Sequence, residues 1–288
     1  MNRPIRIGAV SYLNTRPLVF GLEQGLAEER IELSYDVPAR LADRMLRDEL
    51  DIALMPVIEL AKMPELEVVP GLAIGTNGPS RSVLLISKKP IDEVRSVALD
   101  RESRTSNALV QVLADRVWGI KPEWVRGQQS LDDALRDCDA AVQIGDKALF
   151  IDPPAGTVVY DLGGVWTAAT SKPFVFAAWF VRPGKLDREI YEALHESRRR
   201  GSAVLQLIAE DYSWEGQSYP QLSHDYLKRN IRFRLGSAEV DAMRDFYHSA
   251  AAIGLIDEAP NPKLALTRWT TCHETAQAAQ EARSNAKP

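Results

Sequence analysis

The stretch RIGAVSYLNTRPL, residues 6–18, joins two patterns of opposite character. Ile5 to Val10 is short, apolar and β-branched, with Arg6 its single charge, as in a strand buried on both faces of a parallel sheet. The polar loop Ser11, Tyr12, Asn14 and Thr15 follows, and Pro17 then presets φ for a helix whose apolar positions are Leu18, Phe20, Leu22 and Leu26. The same order recurs twice. Ile31 to Asp36 predicts a strand, with Pro38 opening a helix through Leu41, Met45, Leu46 and Leu50. Asp51 to Pro56 predicts another, with Val57, Ile58 and Leu60 after it. Three successive βα units predict a parallel sheet with helices on its faces.

From Leu72 the pattern changes. Gly75, Asn77, Gly78 and Pro79 make a turn-rich break before Ser80, Arg81 and the apolar run Ser82 to Ser87, and a crossing to a second domain is expected just after that run. Ser96 to Leu99 then predicts a strand, Asp100 to Ser103 a loop, and Leu109, Val110, Val112 and Leu113 a helix with Thr105 and Ser106 at its start. Ala140 to Ile144 is a further strand, followed by Gly145 and Asp146, and Val158 to Leu162 precedes a short helix containing Trp166. Phe174 to Val181, FVFAAWFV, is apolar throughout and is expected to return the chain to the first domain. Residues 1–87 with 178–288 are expected to form one lobe, and 88–177 the other.

The remainder, from Leu186, is helical in pattern through Ile190, Leu194, Ile208, Leu222, Tyr226, Ile231, Val240, Met243, Phe246 and Tyr247, and is expected to pack on the first sheet. From Cys272 onward the chain is polar and alanine-rich, and its last dozen residues are expected to fray. Two α/β lobes joined by two crossings, with a ligand cleft between them, are the architecture of hinge-closing binding proteins.

Composition narrows the function. At 288 residues and 45% hydrophobic the chain can bury a core in each of two domains. A net charge of −5 argues against nucleic acid as a partner, and Arg198, Arg199 and Arg200 sit in a helical pattern as a solvated face. Cys138 and Cys272 show no C-x-x-C spacing, which argues against a disulfide framework or a zinc site and suits a reducing compartment. MNRPIRIG has no apolar signal core, and the longest apolar run is far short of the ~20 residues of a membrane span, so a cytoplasmic location and no membrane partner are expected. A homodimer is one assembly the sequence allows. His195, His224, His248 and His273 lack metal-ligand spacing, and no G-x-S-x-G, P-loop or G-x-G-x-x-G motif is present, so neither a histidine-based metal centre nor the familiar hydrolase, kinase or dehydrogenase chemistry is expected.

The polar candidates converge on strand ends of both lobes: Ser11, Asn14 and Thr15; Ser80, Arg81 and Ser82; Arg104, Thr105 and Ser106; Gly145 and Asp146. A helix amino terminus there would receive an anion, although the same hydroxyls also serve as helix caps. Arg81 or Arg104 could clamp a carboxylate or lie on the surface, and Asp146 could orient a neighbour or cap a helix. Tyr12, Phe174, Phe176 and Trp179 are open to two roles, core packing or the wall of a pocket for a ring.

RIGAVSYLNTRPL, DIALMPV, GPSRSVLLIS, DRESRTSNAL, VQIGD and PFVFAAWF resemble, in this order and spacing, the chorismate dehydratase family of the futalosine route to menaquinone. The match runs from Ile5 to about Trp179 and more loosely beyond. The resemblance implies an α/β fold of the type II periplasmic-binding-protein kind, with a helical C-terminal part. It implies removal of water from chorismate to give 3-[(1-carboxyvinyl)oxy]benzoate, without metal or organic cofactor. It carries catalytic roles onto Asn14 and Ser82. Asparagine is no strong base, so Asn14 is expected to hydrogen-bond the leaving hydroxyl or orient a carboxylate while the substrate's own side-chain carboxylate takes the ring proton. Asp146 is the alternative base. Ser11, Thr15, Arg81, Arg104, Thr105, Ser106, Gly145 and Asp146 are the expected substrate contacts. A non-catalytic anion-binding protein of the same fold is the competing reading.

Overall fold

The structure, a computed structural model, describes residues 3–126 and 130–265. Its strands, in chain order, are β1 (Ile5–Val10), β2 (Ile31–Asp36), β3 (Ile52–Pro56), β4 (Glu67–Thr76), β5 (Val83–Ser87), β6 (Ser96–Leu99), β7 (Glu123–Arg126), β8 (Ala140–Ile144), β9 (Val158–Asp161), β10 (Phe174–Val181), β11 (Ser213–Trp214), β12 (Gln217–Ser218) and β13 (Lys263–Leu264). They form two main sheets, ordered β13-β4-β10-β3-β1-β2 and β7-β6-β8-β5-β9, and a small β11-β12 hairpin.

The first sheet begins as the three βα units require. β1 runs parallel to both β2 and β3, and β3 is buried along its whole length. Helix α1 (Arg16–Glu23) carries Pro17 in its first turn and α2 (Pro38–Leu46) begins on Pro38, where the missing N–H would be unpaired in any case. β10 then enters antiparallel between β3 and β4, closing the sheet around an apolar centre of Trp179, Phe180 and Val181. The helical remainder does pack on this lobe. In the helix Arg188–Ala203, Ser197 Oγ accepts the N–H groups of Gly21 and Leu22 at 2.9 and 3.1 Å, and a Cβ at Gly201 would stand 2.1 Å from the Pro17 carbonyl oxygen. The α1 contact therefore depends on glycine there.

The sheets correct the expected lobe boundaries. Val83–Ser87 pairs antiparallel with β8 and β9, so the chain has crossed before this run and not after Ser87. The return also comes earlier, because Phe174 to Ala177 already pair with β4 and β3. Asp161 sits beside the outgoing crossing: its carboxylate accepts the N–H groups of Ser80 at 2.9 Å and Arg81 at 2.6 Å, and it caps the helix Leu162–Thr170, which precedes the return, by accepting the Gly164 N–H at 2.9 Å.

Contacts join the lobes across the cleft as well. The N–H of Ala39 donates to the Glu102 carbonyl at 3.2 Å, and that of Ile58 to Thr105 Oγ1 at 3.3 Å. Phe150, at the end of the helix Gly145–Leu149, lies within 5.0 Å of the Tyr219 ring centre and 6.4 Å of those of Tyr212 and Trp214. Among the described residues no helix is long and apolar enough to cross a membrane. Cys272, His273 and the polar tail lie outside the described residues.

Candidate active site

Between the sheets lies a cavity that is partly open to solvent. Val10, Tyr12 and Asn14 reach it from the end of β1, with Pro38, Pro56, Ile74, Phe176 and Ala177 from the rest of the first lobe. Ser82 and Val83, Ser103, Thr105 and Ser106, and Ile144 and Gly145 face it from the second lobe, and Ile231 from the helical remainder. Most of the lining is apolar, with a few polar groups at fixed points, as small-molecule sites usually are.

Asn14 sits in a short 3-10 turn, Leu13–Thr15, whose three residues are buried. Its Nδ2 donates to the hydroxyl of Tyr226 at 3.0 Å, and its Oδ1 has no partner among the described residues. Tyr226 is also 2.7 Å from Ser82 Oγ. One buried phenol thus links the two residues marked as catalytic by the resemblance. Burial holds the Tyr226 hydroxyl well above the usual tyrosine range, so it stays neutral and protonated.

Gly145 adopts φ +64°, and its N–H donates to the Ser82 carbonyl at 2.8 Å. A Cβ there would stand 2.7 Å from the Tyr12 ring. Tyr12 in turn donates its hydroxyl to Glu102 at 3.1 Å, which pairs with Lys147 at 2.8 Å. Of the two roles open to the aromatic residues, Tyr12 and Phe176 take the pocket wall, while Phe174 and Trp179 are core.

Helix α3 (Thr105–Leu113) points its amino end at the cavity through Thr105 and Ser106. The hydroxyl that meets its first turn is Ser103, which accepts the Ser106 N–H at 3.2 Å. No charged side chain is among the lining residues. A carboxylate here would meet the helix end, hydroxyls and an amide.

Five expected contacts lie outside the cavity. Arg104 is committed elsewhere, to Asp43 at 2.6 Å and to the buried Glu59 at 2.8 Å, so its fork is filled by protein carboxylates. Arg81 is exposed, at φ +61°, with its N–H on Asp161. Ser11 is exposed and continues the β1–β2 pairing through Asp36, while Thr15 is fully buried behind the loop. Asp146 turns away from the cavity: the N–H of Leu13 lies 3.2 and 3.3 Å from its two oxygens, and the Tyr212 hydroxyl also donates to it. Desolvation pushes its carboxyl up to about 6 in spite of these bonds. Its carboxylate holds the Asn14 loop in place across the cleft, which is not the position of a base.

Tyr226, Ile231 and Ser103 were not legible as site residues. Ser103 lies in a loop the sequence marks. Tyr226 begins a π-helical turn, Tyr226–Asn230, where the apolar spacing predicts only helix; such wide turns cluster at functional sites but leave no periodic trace. No group of three or more His, Cys, Asp or Glu that could hold a metal occurs among the described residues.

The fold is that of periplasmic binding proteins. The alkanesulfonate-binding protein SsuA from Xanthomonas axonopodis pv. citri, bound to MOPS, aligns with a TM-score of 0.63 at 15% identity, over 90% of this chain and 96% of that one. The Candida albicans CA3427 gene product, described as having the generic periplasmic binding protein fold, aligns at 0.61 and 13% identity, over 92% and 99%. In sequence, the chorismate dehydratase of Thermus thermophilus is 30% identical over 271 residues, 88% of this chain and 96% of that enzyme. A profile described as menaquinone biosynthesis matches residues 5–252, and with that relative it establishes that this chain belongs to the menaquinone-biosynthesis family.

Proposed function

We propose that this protein is a chorismate dehydratase, converting chorismate to 3-[(1-carboxyvinyl)oxy]benzoate and water in the futalosine route to menaquinone. The observation that carries the reading is the pairing of Asn14 and Ser82 in one cavity, on motifs matching the family, beside a helix amino terminus that suits a carboxylate. The reaction removes the ring hydroxyl and the hydrogen on the neighbouring carbon that bears the ether. The ring becomes aromatic, so the step is downhill and the protein's task is to hold geometry and help the hydroxyl leave.

In this reading α3 and its hydroxyls receive one carboxylate. Asn14 and Ser82 hydrogen-bond the reacting centre, and the enolpyruvyl carboxylate, folded over the ring, takes the proton. Among the described residues that line the cavity none is charged to compete for that role. A cytoplasmic location goes with this substrate and accords with the free, buried Cys138. The test is to incubate purified, metal-stripped protein with chorismate and follow products by liquid chromatography with mass detection. Loss of one water, without added cofactor, is the expected result. Chorismate that raises the melting temperature but emerges intact would support the anion-binding alternative, a role SsuA's name gives to that protein.

A further inference from the structure

We propose that Tyr226 is a positioning residue that sets the direction of hydrogen bonding in the cavity, so that Asn14 faces the substrate as an acceptor and Ser82 faces it as a donor. The inference rests on the dehydratase reading and deepens it.

The argument is an accounting of protons. Tyr226 is buried, and its one hydroxyl proton needs an acceptor, since a buried donor left unpaired is costly. Its described neighbours within hydrogen-bond distance are Asn14 Nδ2 at 3.0 Å and Ser82 Oγ at 2.7 Å. The amide nitrogen can only donate. The phenol therefore accepts from Asn14 and gives its proton to Ser82. That fixes both ends of the chain. Ser82 Oγ, having accepted, must direct its own proton elsewhere, and it lines the cavity. Asn14, having spent one of its two N–H groups on the phenol, keeps Oδ1, a buried acceptor without a partner among the described residues, on a residue 9% exposed. The bonds run one way, Asn14 N–H to Tyr226 O–H to Ser82 O–H, and each polarises the next.

The polarity suits the chemistry. As its C–O bond breaks, the ring hydroxyl gains negative character and calls for a hydrogen-bond donor, which Ser82 supplies; the ring proton taken up by the enolpyruvyl carboxylate then passes to it to make the water that leaves. The acceptor on Asn14 suits a substrate group that carries a hydrogen. The helical remainder thus completes a site whose other walls come from the two lobes, through a residue 212 positions from Asn14 and 144 from Ser82.

The experiment is a double-mutant cycle on turnover: wild type, Tyr226→Phe, Ser82→Ala and the double variant, each with kcat and KM for chorismate. Tyr226→Phe keeps the ring and removes only the oxygen. Acting through Ser82, it should lower kcat roughly ten- to a hundredfold with KM changed less than about threefold. In the Ser82→Ala background the same change should then lower kcat by less than about threefold. A packing role predicts an equal loss in both backgrounds, and that result, or a Tyr226→Phe kcat within twofold of wild type, overturns the proposal. Should wild type bind chorismate without converting it, the dehydratase reading fails alone, and the cycle is run on Kd instead, with the same non-additivity expected. Wild type that neither converts nor binds chorismate overturns both.

Discussion

The carboxylate of Asp146, in the second lobe, receives the backbone N–H of Leu13, in the first, at 3.2 Å. Leu13 directly precedes Asn14, so this one bond across the cleft fixes the height of the amide over the cavity. Tyr212 donates to the same carboxylate from the helical remainder, which makes Asp146 the meeting point of three parts of the chain.

Replacing Asp146 with alanine should leave the Leu13 N–H and the Tyr212 hydroxyl unpaired. A stability loss of about 2 kcal/mol is expected, together with a fall in kcat of roughly tenfold or more as the Asn14 turn loosens. Urea unfolding and steady-state kinetics on the same preparation check both. An unaltered kcat in a destabilised variant would remove the link between this bond and the chemistry.

The same residue gives a pH signature. Its carboxyl titrates near 6 in the folded protein, above its ordinary value of 3.8. The folded state therefore binds the extra proton between about pH 4 and 6, and the contribution of Asp146 to stability falls as pH rises through that window, then stays flat above it. Melting temperatures from pH 4 to 7 should show wild type losing ground relative to Asp146→Asn over this range. Asp100, also raised by burial, titrates in the same sense in both proteins and cancels in the comparison. Parallel profiles would contradict the expectation.

Arg104 should behave as a structural residue. Its removal leaves Glu59, whose side chain is 2% exposed, with Lys62 at 3.4 Å as its one ion-pair partner among the described residues. Arg104→Ala should cost about 3 kcal/mol of stability, seen by denaturant unfolding, while KM for chorismate changes less than about threefold at a temperature where the variant is folded. A tenfold rise in KM would return this arginine to the substrate.

Gly145→Ala should fail for two reasons that act together. The backbone is in the left-handed region, and the new methyl meets the Tyr12 ring at 2.7 Å. Tyr12 must swing off Glu102 and into the cavity it lines. A loss of kcat/KM of at least tenfold is expected, with a lowered melting temperature; a variant with wild-type kinetics would show that Tyr12 has room to move.

Where the sequence speaks through local order, it speaks clearly. β1, its polar loop and α1 follow one another without a break from Ile5 to Glu23, and the strand Ile31–Asp36 carries the bounds its apolar pattern implies. β4 is hidden because Pro70, Gly71 and Gly75 break it into short runs, and the fold accommodates them with Gly71 at φ +81° and shifts in register against β10. The run Ser82 to Ser87 is readable as a strand, yet nothing in a uniformly apolar run says which sheet it joins; that depends on pairing with β8, far along the chain. The arginines mislead for a related reason. A guanidinium in a loop looks ready for a carboxylate, and whether a protein carboxylate has already taken it, as Asp43 and Glu59 have taken Arg104, is a matter of tertiary distance. Tyr226 is the extreme case, a helix-patterned tyrosine whose role exists only once residues 14, 82 and 226 meet.

Asp161 holds the outgoing crossing at Ser80 and Arg81 while capping the helix Leu162–Thr170, and the same helix accepts the Gly78 N–H on Thr167 Oγ1 at 3.0 Å. A loose strap would let the lobes slide and twist as well as part. A strap fastened at both points to one helix behaves as a stiff hinge leaf, so cutting the Asp161 fastening should slacken the lobes without touching a group that lines the cavity.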